Sequence, residues 1–549
     1  MGDDIYRIRK RGLYKMKKRN AILVLALALV LALTGCSKSE TSSANVAGSA
    51  AAPTLNPDGS FHLPIVDKPE TFSIFATLDN MAFDPSWPVW QEIAQKTNIN
   101  LEGYISLSNS NQDEAFNLML SSNLADIISY ANVSDMEKLG ADGGLIPLND
   151  LIDEYAPHIK AYMESHPNFK QFATALDGNI YFIPKDMTTK SSQYYWIRKD
   201  WLDKLGLEVP TTVDELETVL YAFRNDDPNG NGIKDEIPYF DRAGWKMADE
   251  SLYLWDSSTE FYFRDGKAEF EPLTENFKTA VRNISRWYKD GILDPEIFTR
   301  GGKSRDILFS QNVGGFTHDW VSTSEYNDKV SVPGFEVVAI APPANQHGVV
   351  KERAVRGPLA GWGISSTCKD PIAVIKLFDY MFTEEGSDYM NWGIEGVSYK
   401  VNEDGSKTFL KENCGDLPAV GFMRQLGAIY CIGFSQNGEY EAATRNDAGN
   451  YAVELYESHD EWYEEAMALP PYSSMGELDM KIFPENLSRF RKIMNTIDPY
   501  VKEKLQSWVL GTSDFDADYD AFVAELHKRG IDEATAIIQK AYDRFLESK

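Results

Sequence analysis

Residues 71–105 read TFSIFATLDNMAFDPSWPVWQEIAQKTNINLEGYI, and the patterns in this stretch decide the fold. Thr71 to Leu78 is rich in β-branched and aromatic residues, which predicts a strand. A helix is predicted from Trp87 to Lys96. Ser86 stands in the cap position, Pro88 in the first turn, and Val89, Trp90, Ile93 and Ala94 share one face. A strand is predicted near Asn100 to Ile105, then a helix over Asp113 to Ser121 and a strand at Ala125 to Tyr130. Strands alternating with helices at this spacing predict an α/β fold with a parallel-type sheet.

Further along, Trp196-Ile197-Arg198-Lys199-Asp200-Trp201-Leu202 opens a second region. Thr211 with Asp214 and Thr212 with Glu215 each match a capping box ahead of Leu216, Val219 and Leu220, so a helix starts there. A strand at Phe335 to Ile340 and the segment Gly357 to Ser366 lead to Asp370-Pro371, a cap and first-turn pair. The helix it opens carries Ile372, Ile375, Leu377, Phe378 and Met381. Beyond Gly396 the pattern is mostly helical with acidic faces, and no internal repeat is found.

At the other end, Arg7, Arg9, Lys10, Arg11, Lys15, Lys17, Lys18 and Arg19 precede the unbroken apolar run Ala21 to Leu33. A basic region followed by such a run reads as a signal peptide over residues 1–35. Leu33-Thr34-Gly35-Cys36 resembles the lipobox at which bacterial lipoproteins are cut before the cysteine, so Cys36 is the expected lipidation site. The alternative is an N-terminal anchor helix with an incidental cysteine. Met16, followed by two lysines and an arginine, would itself begin a compact signal. Residues 36–60 continue as a Ser/Ala/Gly/Pro tether with no apolar face to repay ordering. Two acyl chains on Cys36 would hold the body at the outer face of the membrane.

The chain has 549 residues, 43% of them hydrophobic and 12% aromatic, ample for large cores. Setting aside the eight basic and two acidic residues of 1–36 takes the formal charge from −29 to −35. So acidic a body repels phosphate backbones and argues against nucleic acid as a partner. Beyond Cys36 three cysteines remain, Cys368, Cys414 and Cys431. A Cys414–Cys431 disulfide and free buried thiols are both open. The seven histidines have no HExxH or CxxC context, and no GxSxG elbow or Walker A loop is present.

These features resemble the extracellular solute-binding proteins of ABC importers, in particular the cluster whose members bind oligosaccharides. The resemblance rests on the lipobox, Gly144-Leu145-Ile146-Pro147-Leu148, Trp196 to Leu202, Gly314-Gly315-Phe316 with Trp320, and Phe382-Thr383-Glu384-Glu385-Gly386. It covers nearly all of residues 70–400 and is weaker from about 400 to 549. It implies a two-lobed periplasmic-binding-protein-like α/β fold of type II. Lobe 1 would hold 61–165 and 338–400, lobe 2 would hold 166–337 and 401–549, and the chain would cross near 165, 338 and 400. An oligosaccharide or other small polar solute would sit in the cleft of a monomer that delivers it to ABC permease subunits. Two alternatives stay open. One is a surface sensor of the same fold feeding a membrane kinase; the other is a secreted glycan-degrading enzyme with a carboxylate pair.

By position in the family pattern, Trp320 with Asp319 should face the cleft. Tyr130 ends a strand, and Asp79 and Asn80 follow one, where ligands gather in α/β sheets. Trp196 and Trp362 are further candidates near the hinge, and simple core packing is the competing reading for every aromatic. The sharpest local motif is Asp227-Pro228-Asn229-Gly230-Asn231-Gly232-Ile233-Lys234-Asp235-Glu236. Oxygen side chains at positions 1, 3, 5 and 9, Gly at 6 and the Ile233 carbonyl at 7 suit calcium. Pro238 stands where an EF-hand has its bidentate Glu. Glu236 would supply that carboxylate, an arrangement similar to the calcium loop of alginate-type oligosaccharide-binding proteins. The plainer reading is a polar Asn-Gly turn.

Overall fold

The computed structural model describes residues 54–547, apart from 79–80, 105–111, 131, 192, 243–249, 429–434, 464–481 and 483. The expected signal peptide, Cys36, most of the tether, Asp79, Asn80 and Cys431 lie outside the described residues, while Cys368 and Cys414 are free thiols.

The strands of the two main sheets and one hairpin are, in chain order, β1 (Glu70–Leu78), β2 (Met81–Ala82), β3 (Ile99–Gly103), β4 (Ile127–Ser129), β5 (Ile183–Lys185), β6 (Gln193–Arg198), β7 (Ile237–Tyr239), β8 (Phe261–Arg264), β9 (Lys267–Phe270), β10 (Gly314–Trp320), β11 (Val337–Ile340) and β12 (Leu359–Ile364). The first sheet has the order β2-β1-β4-β12-β5, with β3 also on β1; the second runs β11-β6-β10-β7. β1 pairs in parallel with β3 and β4, as the βαβ spacing requires. The parallel expectation fails for β12, antiparallel to both β4 and β5, and for β6, antiparallel to β10 and β11. The right-handed crossover rule binds strands joined by a helix within one sheet. β6 and β12 instead enter their sheets from the other one, which leaves their direction free.

The helix Pro88–Thr97 buries Val89, Trp90 and Ile93 and ends at Asn98 in the left-handed region. Its expected cap is not used: the Ser86 hydroxyl turns back to Asp84. Of the two overlapping capping boxes, Thr212 is the cap of the helix Val213–Asn225, its Oγ1 accepting from Glu215 N at 3.1 Å. The Glu215 carboxylate then reaches one residue further back and accepts from Thr211 N at 2.8 Å. Asp370 caps Pro371–Tyr380 through Ala373 N at 3.0 Å.

The cores show where the lobes divide. Phe169, Ala173 and Ile183 are buried in the same cluster as Ile74, Trp90, Trp362 and Phe378, and so are Trp392, Tyr399, Phe409, Met423 and Tyr440. The first lobe therefore keeps the chain well past 165, to β5, and past 400, to about 440. β11 belongs to the second sheet, so the crossing placed near 338 falls after Val355, which packs in the second lobe. These boundaries move because β5 closes the edge of the first sheet and the segment after 400 covers its helices, contacts that no local pattern encodes. The second sheet is buried on both faces. Tyr195 and Ile197 point into one core, Tyr194 and Trp196 into the other, and the helices Pro484–Val509, Phe515–Arg529 and Ile531–Glu547 complete those cores.

Trp362, a candidate ligand contact by sequence, is fully buried between Trp90 and Phe378, with ring centroids 6.1 and 4.4 Å away. No solute can reach it. Trp362→Ala is expected to lower unfolding free energy by about 3–5 kcal/mol, read as a lower urea midpoint. An unchanged midpoint would contradict its place as a core side chain.

Candidate functional site

Strand direction locates the cleft. β7 and β10 are parallel, so Tyr239 and Trp320 end on one edge of the second sheet, and Gln193, opposite Trp320, starts β6 on that same edge. In the first sheet the ends of β1 and β4 share an edge with Leu359 and Lys185. Lys185 and Gln193 are separated only by 186–192, a span of at most about 29 Å even fully extended. The two edges must therefore lie close together, joined by this segment and by 356–358. Bridges between Ser191 and Val355 and between Asp186 and Ser435 bind the crossing segments to one another. The Tyr162 hydroxyl donates to Asp186 Oδ2 at 2.6 Å and adds a side-chain tie at the hinge.

On the second-lobe edge, Trp320 is half-buried at the end of β10, while Asp319 is 1% exposed. Asp319 Oδ2 lies 3.1 Å from Arg305 Nη1 and Oδ1 lies 3.3 Å from Arg242 Nε. Its Oδ1 also accepts from Trp320 N at 2.7 Å, and its carbonyl accepts from Trp196 Nε1 at 3.1 Å. Trp196 is fully buried. The structure thus removes it from the ligand contacts and gives it a different task, holding the backbone that presents Trp320.

Asp241 stands two residues past the end of β7 and is 5% exposed. It hydrogen-bonds Glu250, whose carboxylate oxygens both lie 3.4 Å from Gln193 Nε2. Burial, and then the charge of Asp319, pushes the Asp241 carboxyl up to about 6. Burial and the Asp241 charge hold Glu250 well above the usual carboxylate range. The pair retains a proton that an exposed acid would lose. Behind it, His318 is buried and stacked on Tyr195 at 4.1 Å, with Nε2 3.4 Å from Glu352 Oε1.

On the first-lobe edge, Tyr130 is buried, stacked on Phe116 at 4.0 Å, with its hydroxyl donating to Asp113. Burial and Asp113 hold that hydroxyl well above the ordinary tyrosine value. Its ring is core and offers no free stacking face. Beside it Arg491, from the C-terminal helix Pro484–Val509 of the second lobe, reaches Asp135 at 2.7 Å and Asn132 at 3.4 Å. A cavity of about 150 Å³ lies next to this contact, lined by Ala141, Leu176, Tyr181, Ile482 and Leu487 among others. It is well below the several hundred Å³ of a usual small-molecule site.

The Asp227 loop is built around inward-facing oxygens. Asp227, at φ 49°, accepts from Gly230 N at 3.0 Å, Asn231 N at 3.1 Å and Gly232 N at 3.0 Å. Asn229 Oδ1 accepts from Asn231 N at 3.0 Å, and Asn231 Oδ1 from Ile233 N at 2.6 Å. Both asparagine amides donate to Asp235, at 3.1 and 3.0 Å. Ile233 itself turns its side chain to solvent. Among the described residues, His, Cys, Asp and Glu side chains form no cluster of three that could hold a metal. Yet Glu236 is buried, and neither of its carboxylate oxygens accepts a hydrogen bond of normal geometry. Burial raises its pKa, and Asp235 and Asp227 raise it further. A buried carboxylate beside two others is what a hard divalent cation relieves, so these residues fit calcium.

Trp320 and Asp319 are picked out by their position in the family pattern. Asp241 follows a strand just as Asp79 does, so the same rule could have found it, whereas Glu250, Arg305 and Arg491 carry no such signal.

The family described as bacterial extracellular solute-binding protein matches residues 85–388. The chain is 28% identical over 569 residues to the fructooligosaccharide ABC transporter substrate-binding protein FusA of Streptococcus pneumoniae serotype 4, covering 98% of this chain and 99% of that protein. It is 26% identical to the polygalacturonan/rhamnogalacturonan-binding protein YtcQ of Bacillus subtilis strain 168, over 72% of this chain and 76% of YtcQ. The crystal structure of the alginate-binding protein AlgQ2 without calcium ion superposes with a TM-score of 0.75 at 33% identity, covering 87% of this chain and 99% of that one.

The raised value of Asp241 has a direction that can be measured. The folded state holds this proton more tightly than the unfolded chain does, so its contribution to stability falls as pH rises from about 4 to about 6. Asp241→Asn should remove that fall. The stability gap between parent and variant should then change by on the order of 2 kcal/mol between about pH 4 and pH 7, measured by urea denaturation. Parallel profiles would mean that Asp241 titrates like a surface acid.

Proposed function

The chain belongs to the bacterial extracellular solute-binding proteins, and from that premise we propose that it is the capture component of an ABC importer whose cargo is an oligosaccharide. The observation that carries this reading is the meeting of two strand-end edges across short crossing segments. One edge presents a half-buried Trp320 beside Asp319, Asp241 and Glu250. A sugar offers an apolar ring face and a rim of hydroxyls, which an indole and hydrogen-bonding carboxyls complement. A solute touching both lobes stabilises the closed state by its extra contacts there, and the membrane permease reads that state. In this reading Cys36, lipidated, and the 36–60 tether hold the domain at the outer membrane face, and the monomer works alone.

The Asp241–Glu250 pair does not have the spacing of a hydrolytic carboxyl pair. A glycosidase keeps its two carboxyls about 5 Å apart or more, leaving room for the sugar or a water. Asp241 and Glu250 instead hydrogen-bond each other.

Calcium in the Asp227 loop, held by Asp227, Asn229, Asn231, the Ile233 carbonyl, Asp235 and Glu236, would have a structural role. When bound it supplies the positive charge that lets these carboxylates share one turn between the helix Val213–Asn225 and β7.

Three outcomes are expected. In a thermal-shift screen, oligosaccharides should raise the melting temperature by mass action and be recovered intact; a response to peptides alone, or shortened glycans, would reject the reading. Trp320→Ala should weaken sugar binding at least tenfold with little change in melting temperature, and equal loss of both would make Trp320 a core residue. Chelation by EDTA should lower the melting temperature of the parent but not of Glu236→Gln. Superimposed parent curves in calcium and in EDTA would rule out the ion.

A further inference from the structure

We infer that the cleft is built for a neutral oligosaccharide and rejects uronates, an inference that rests on the capture reading above and narrows its substrate class. The relatives leave this choice open, since their names join a fructooligosaccharide with polygalacturonan and alginate. A uronate needs a cation for each carboxylate it buries, because an ion moved out of water without a partner costs far more than it returns. A neutral sugar needs acceptors and donors for its hydroxyls and no net charge.

The cleft edges supply the second. Among the described residues beside the ends of β4, β7 and β10, the guanidinium groups of Arg242, Arg305 and Arg491 stand against the carboxyls of Asp113, Asp135, Asp241, Glu250 and Asp319. Arg242 and Arg305 both face Asp319, at 3.3 and 3.1 Å, and Arg491 faces Asp135 at 2.7 Å. Each of these three guanidinium groups is thus already paired. Among the described residues, no cation faces Asp241 and Glu250, which lie next to Asp319. Asp241 Oδ2, on a side chain 5% exposed, accepts from no donor among the described residues. The polar groups packed round this pair are Asp319 and His318 on β10, Tyr239 on β7 and Tyr195 and Gln193 on β6, with Arg242 alongside. None of them is a cation free to meet an anionic sugar.

A carboxyl pair holding one proton can donate and accept at once. It therefore suits adjacent sugar hydroxyls, which do the same. A uronate carboxylate placed there would meet like charge at short range in a site shielded from water, which is how a binding site excludes a wrong ligand.

The test is calorimetric titration of the purified protein near neutral pH. The neutral probes are the trisaccharides kestose, maltotriose, cellotriose and mannotriose; the anionic probes are trigalacturonate and trimannuronate. At least one neutral probe should bind at least a hundredfold tighter than either uronate. Asp241→Asn and Glu250→Gln, each checked for an intact melting transition, should weaken the neutral ligand at least tenfold and narrow its advantage over the uronates. Uronate binding equal to or tighter than neutral binding would overturn the inference and leave the importer reading standing. Binding of neither class, with a response to another kind of solute, would overturn both.

Discussion

Asp319 is the interaction on which the rest of the site depends. A carboxylate that is 1% exposed is tolerable only if its charge is matched and its oxygens are occupied, because the desolvation cost is several kcal/mol otherwise. Arg305 and Arg242 supply the charge, and the Trp320 amide fills one oxygen. Arg305 is anchored in turn by Thr323 at 2.7 Å and Ser322 at 3.1 Å, in the turn after β10. One buried ion cluster thus fixes the strand end, the turn that follows it and the indole between them.

Farther from the strand ends, the second lobe uses the same device as scaffold. Arg353 and Arg264 reach Glu271 at 2.8 and 2.7 Å and Asp256 at 3.0 and 3.2 Å. Both guanidiniums lie over the Tyr262 ring, at 4.2 and 4.6 Å. This network ties the β8–β9 hairpin to the segment that leads toward the hinge. Arg198 is likewise buried, clamped by Asp200 at 2.7 Å and Asn312 at 2.7 Å between the Trp201 and Phe335 rings. A planar guanidinium can be both stacked and bidentate, a combination lysine does not offer. These arginines are spent on structure.

Rigid lobes and short crossings divide the labour. Each sheet is locked by its own cores, and the chain passes between them through a few short segments, tied by the Ser191–Val355 and Asp186–Ser435 bridges. Arg491 spans the lobes at a point far in sequence from every crossing and ties the C-terminal helix to the first lobe. The C-terminal segment, where family likeness was weakest, thus contributes a side chain to the interlobe contact.

The sequence by itself determined the α/β class, the helix starts at Thr212 and Asp370 and the Asp227 loop. All of these are local. They depend on residues within a few positions of one another, where periodicity and capping chemistry act. Only the tertiary structure decided that β12 and β6 run antiparallel, that the first lobe extends to β5 and takes back residues up to about 440, and that Trp196, Trp362 and Tyr130 are buried. It alone brought Glu250 to Asp241, Arg305 to Asp319 and Arg491 to Asp135. The physical reason is that burial and charge pairing depend on which distant segments pack together, and aromatic or charged residues look the same in sequence whether they end in a core or at a cleft.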